Sequence, residues 1–137
     1  SQDKPWFWEG YVQGAVVAHL SAQGYAVLSV ADTEARERGK DIVAKGPSGQ
    51  LWVTVKGYPE GTARTHPSTQ AGHWFKDALF DIVDWHGQGP DAELAMAMPD
   101  FPRYRSLAER VDWLRSATPF FVIWVGKDGT VTIDRHS

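Results

Sequence analysis

The sequence contains no cysteine. Disulfides and thiolate metal sites are therefore excluded, and a reducing, cytoplasmic setting is the natural expectation. Long apolar runs are missing too: none approaches the roughly 18 residues a membrane-crossing helix needs. No signal-peptide pattern opens the chain. Positive charge is also scarce, with 14 Lys and Arg against 17 Asp and Glu and a net charge of -3. No global positive field draws in nucleic acid, so any such contact must use a local patch. A Gly-rich phosphate loop, a Gly-x-Ser-x-Gly elbow and a His-x-x-x-His helix are all absent, which leaves a small-molecule enzyme on an unrelated α/β fold without support. There is no internal repeat, low-complexity segment or linker. What remains is 137 residues, 42% hydrophobic and 23% charged, the balance of a single globular domain over 1–137 with a core of its own. The chain opens on Ser1 rather than Met, the start expected of a trimmed chain or of a domain cut from a longer protein.

Two short β-branched runs, Asp41 to Ala44 and Leu51 to Lys56, flank a turn at Gly46-Pro47-Ser48-Gly49 and read as a β-hairpin. Side chains alternate faces along a strand, so Leu51, Val53 and Val55 share one face and Trp52, Thr54 and Lys56 the other. The first set seals a core, while the second delivers an ammonium to the opposite surface, where Asp41 also reaches. A carboxylate beside a lysine on a rigid hairpin suits a divalent metal and a polarised water.

The rest of the chain frames that hairpin. A first helix is predicted over about Trp8 to Gln23, with Val12, Val16 and Leu20 as its apolar stripe and Glu9 and Gln13 in line with it. Glu9 has two readings: an acid favoured by the helix dipole, or one that looks across at Asp41. Tyr25 to Ala31 is a strand, and three successive strands predict an antiparallel meander. The charged connection at 32–38 is a solvated surface, from which Arg36, Arg38 and Lys40 are within reach of a phosphate. The loop from Gly57 to Ser68 leaves the lysine strand and brings Arg64 and His66 as candidate phosphate contacts. Ser68 or Thr69 is expected to cap a long helix reaching Trp85, with Ala71, Trp74, Phe75, Ala78, Leu79, Ile82 and Val83 on its apolar face. A buried strand at Ala92 to Met98, a helix from Arg103 to Arg115, a buried strand at Pro119 to Val125 and an Asp128-Gly129 hairpin turn into a last strand complete the order.

Asp41 with Thr54-Val55-Lys56 resembles the PD-(D/E)xK signature of the restriction-endonuclease-like nuclease superfamily, in which an Asp opens one strand and an acid-x-Lys follows on the next. The predicted order helix, three strands, helix, strand is that superfamily's αβββαβ core, to which this chain adds a C-terminal helix and strands. Val53 to Pro59 and Ala97 to Tyr104 are also similar to segments of a group of small uncharacterised bacterial proteins. The resemblance implies a central mixed sheet flanked by helices and a DNA endonuclease using Mg²⁺ or Mn²⁺. In that scheme Asp41, the Val55 carbonyl and accessory Glu9 hold the metal, and Lys56 stabilises developing charge. Gln70, just past the lysine strand, orients the lysine or a water. Lys40, Gln13, Arg64 and His66 are candidate DNA contacts, and homodimerisation or fusion to a larger protein is in keeping with the superfamily.

Thr54 departs from the pattern, because a neutral hydroxyl holds a hard cation far less well than a carboxylate. Three outcomes stay open: Glu9 replaces the lost charge, the site is silent and the domain binds DNA or protein without cutting, or the acid was replaced on purpose. Seven Trp in so short a chain would mark a partner surface if several were exposed together, although Trp52, Trp74, Trp113 and Trp124 are expected in or beside the core.

Overall fold

The computed structural model describes residues 3–32 and 39–136. Helix α1 (Glu9–Ala22) is followed by strands β1 (Ala26–Val30), β2 (Ile42–Gly46) and β3 (Gly49–Val55), helix α2 (Pro67–Gly87) and strand β4 (Ala92–Pro99). Two short helices, α3 (Pro102–Arg110) and α4 (Leu114–Ala117), lead into the hairpin of β5 (Phe121–Val125) and β6 (Val131–Arg135). The six strands form one sheet in sequence order. Strands β1, β2 and β3 are the expected antiparallel meander, β3 to β4 to β5 run parallel, and β6 returns antiparallel. The sheet is therefore mixed, with the αβββαβ order at its heart.

Alternation along β3 explains why helices cover both faces. Leu51, Val53 and Val55 point with Ile42 and Ala44 toward Val12, Val16 and Leu20 of α1. The opposite face carries Trp52 and meets Phe75, Ala78, Ile82 and Trp85 of α2 and Tyr104 and Leu107 of α3. Strand β4 is buried from Leu94 to Pro99, as a central parallel strand covered on both sides must be.

Three local expectations are corrected. The cap of α2 is His66, whose Nδ1 accepts the Ser68 N–H at 3.1 Å, with Pro67 at the first helical position, rather than Ser68 or Thr69. The helix expected over 103–115 breaks at 111–113. Beyond the break Arg115 is buried, and its guanidinium donates to the carbonyls of Phe120 (3.0 Å) and Asp134 (2.6 Å). Trp113, expected near the core, sits on that break and is 69% exposed. Gln13 is buried: its amide donates to the carbonyls of Ala31 (3.1 Å) and Asp41 (3.4 Å) and ties α1 to the start of β2. Arg36 and Arg38 lie outside the described residues.

Candidate active site

The site forms where the meander ends and α1 begins. Register pairs Ile42 with Val53, so Asp41 stands one step beyond, on the Thr54 side of the sheet. Its Oδ2 accepts the Val55 N–H at 2.6 Å, and its own N–H donates to the Val53 carbonyl at 3.0 Å. Because a strand residue turns its N–H and C=O to the same side, the Val55 carbonyl is directed toward the Asp41 edge. Lys56 follows, its N–H bonded to the Ala97 carbonyl of β4 at 2.9 Å. Gly57 then lets the backbone of α1's entry come close: a Cβ there would lie 2.6 Å from the Glu9 nitrogen and 2.7 Å from the Phe7 carbonyl oxygen. Tyr104 braces the same point, its hydroxyl donating to the Gly57 carbonyl at 2.7 Å.

These elements bring Glu9, Asp41 and Lys56 to one cleft of about 460 Å³, walled also by Trp8, Tyr58 and Trp74. Burial pushes the Glu9 carboxyl above its ordinary range, and the field of Asp41 pushes it further; Lys56 and a hydrogen bond from the Gly57 backbone pull the other way. Asp41 is raised as well, chiefly by burial, against the Val55 N–H, Lys56 and the Thr54 hydroxyl, with Asp81 adding to the rise. Two carboxylates repel each other across a partly desolvated cleft that holds a single ammonium.

Asp81, on α2, escaped sequence reasoning. Thr54 is 1% exposed, and its hydroxyl donates to the Asp81 Oδ2 at 2.7 Å. Burial raises the Asp81 carboxyl, while Thr54 and Lys56 oppose the rise. The position that lacks an acid on β3 thus has one delivered beside it from the helix above. Helical spacing puts Asp81 two turns from Trp74 on one helix line at the border of the apolar face, but says nothing of its partner Thr54.

Other expected residues lie apart. Trp74 rather than Gln70 is the α2 side chain on the cleft wall. Lys40 sits over the Trp52 ring, 4.1 Å from its centre. Arg64 is exposed on the loop before α2, and His66 spends its Nδ1 on the helix cap. Among the described residues, no group of three or more His, Cys, Asp or Glu is gathered to hold a metal ion. A cation at this cleft would rest on Glu9, Asp41 and backbone oxygen. Such hard oxygen donors, with uncompensated negative charge, fit Mg²⁺ or Mn²⁺ in kind.

No family model matches the chain, and no curated protein does. Solved structures do share its fold. An XisH family protein from Nostoc punctiforme PCC 73102 superposes with a TM-score of 0.54 at 12% identity, over 88% of this chain and 95% of that one. A FdxN element excision controlling factor protein from Anabaena variabilis gives a TM-score of 0.53 at 13% identity, with the same coverage. The fold is a restriction-endonuclease-like one, with the mixed sheet and flanking helices the sequence led us to expect.

Proposed function

We propose that this chain is an endonuclease-like protein that hydrolyses DNA phosphodiesters with a divalent metal. The observation that carries the reading is the convergence of Glu9, Asp41 and Lys56 on one cleft, from a helix start and two adjacent strands. In this reading Asp41 and Glu9, with the Val55 carbonyl, hold Mg²⁺ or Mn²⁺. When bound, the ion polarises the scissile phosphate and acidifies a coordinated water. Lys56 offsets negative charge developing on the phosphate oxygens. Asp81, through Thr54, restores some of the negative field that the absent β3 acid would give. The name of the Anabaena neighbour, an FdxN element excision controlling factor, is in keeping with DNA as the partner.

A second reading, a silent nuclease-fold module that binds DNA or protein, is favoured by Thr54 itself, whose hydroxyl is already engaged by Asp81. Cleavage of labelled DNA in Mn²⁺ separates the two. The nuclease reading expects cutting by the wild-type chain and a loss of roughly 100-fold or more in Lys56→Ala, the usual cost of a charge-stabilising group. DNA bound but uncut by the wild-type chain would establish the silent module.

A further inference from the structure

The cleft is better furnished for a base than for a duplex backbone. Among the described residues its lining carries the acids Glu9, Asp41 and Glu60 beside one basic group, Lys56. Duplex binding draws its affinity from many Lys and Arg contacts to phosphates, and among the described residues no such track borders this cavity. Its walls instead carry three aromatic rings, and two of these are already fixed from behind. Tyr58 stacks on Phe101 with ring centres 3.8 Å apart and planes 3° from parallel. Trp8 lies across Gly10, where a Cβ would collide with its ring, and meets Tyr11 edge-on at 5.1 Å. Trp74 differs: it is half-buried on the cleft wall and has no ring or cation partner among the described residues. A cavity of about 460 Å³ is ample for a small planar ligand.

We propose that this cleft takes an unpaired nucleotide of single-stranded DNA, its base stacked on Trp74 and its phosphate at Lys56. The proposal rests on the reading of the cleft as a phosphodiester site and names the strand form it accepts. Stacking on an aromatic ring tolerates any base, so preference falls on strand form rather than on sequence. A paired base cannot enter without being unstacked and turned out of the duplex, which costs free energy that a free strand does not spend.

The test is fluorescence anisotropy with a short labelled strand of mixed sequence, alone and annealed to its complement, in Ca²⁺ and then in Mn²⁺. The single strand should bind at least about tenfold tighter than the duplex. Trp74→Ala should weaken single-strand binding by roughly 5- to 150-fold, the usual worth of one stacked base. Trp74→Phe should retain most of it, and the rise in Tm caused by Mn²⁺ should be unchanged in both. Should Trp74→Ala fail to fold, Trp74→Leu against Trp74→Phe gives the same comparison with the volume kept. Duplex binding as tight as single-strand binding, binding of neither, or wild-type affinity in the variant without a ring would each overturn the proposal. Strand preference without cleavage in Mn²⁺ would leave it standing and remove the hydrolytic reading; cleavage without strand preference would do the reverse.

Discussion

Glu9 and Asp41 are acids that the fold holds at a cost. Both carboxyls are raised, first by burial, so the folded chain binds their protons more tightly than the unfolded chain does. The resulting stability is full below the ordinary carboxyl range and is lost as pH climbs through the raised values. Glu9→Gln should therefore stabilise the metal-free protein at neutral pH by roughly 0.5–2 kcal/mol, the range of single stabilising changes. The gain should vanish in acid; melting curves across pH check both halves. Thr54 invites the opposite experiment. Reinstating the acid as Thr54→Glu looks restorative from sequence, yet the side chain is buried and 2.7 Å from Asp81. The structure predicts a loss of about 3 kcal/mol at neutral pH, as for an uncompensated buried charge, shrinking as pH falls and the carboxyls protonate. Equal stability of the two chains at neutral pH would show that Asp81 does not occupy this position's surroundings.

At the level of elements, one contact sets the site: the end of β3 against the start of α1. Gly57 makes it possible, and Tyr58 N–H to the Phe7 carbonyl, 3.0 Å, completes it. Gly57→Ala should drive Glu9 away from Lys56 and cost roughly 1–3 kcal/mol, as overpacking does, with any Mn²⁺-dependent activity falling further than stability alone explains. Parallel melting and cleavage measurements test this. Much of this level was legible in the sequence. The strands of the meander, the faces of β3 and the long α2 followed from alternation and helical spacing, because each is fixed by neighbours in the chain. What was missed depends on distant partners. Asp81 meets Thr54 across 27 positions, and no local pattern announces such a pair. The His66 cap hid because histidine is an uncommon capping residue. The break after α3 hid because no Gly or Pro marks it; only the acceptors at Phe120 and Asp134 explain why Arg115 leaves the helical line.

Across the whole molecule, the mixed sheet is covered by α1 on one face and by α2 and α3 on the other. Glu9 arrives from the first layer and Lys56 and Asp41 from the sheet to line the cleft, while Asp81 comes from the second layer to meet Thr54 behind it. No single segment therefore shows the acids gathered in and beside the cleft. None of the described helices is long and apolar enough to cross a membrane. A net charge of -3 leaves affinity for a polyanion to be generated locally. In the proposed reading a bound divalent cation would do this while relieving the repulsion between Glu9 and Asp41, which would link metal binding to stability. Calorimetric titration of Mn²⁺ into the wild-type chain and into Asp41→Asn tests that link most directly. The account predicts a saturable site in the wild-type chain, accompanied by a rise in Tm, and at least about a tenfold weaker site in the variant. Equal affinity in the two chains, or no heat of binding in the wild type, would contradict it.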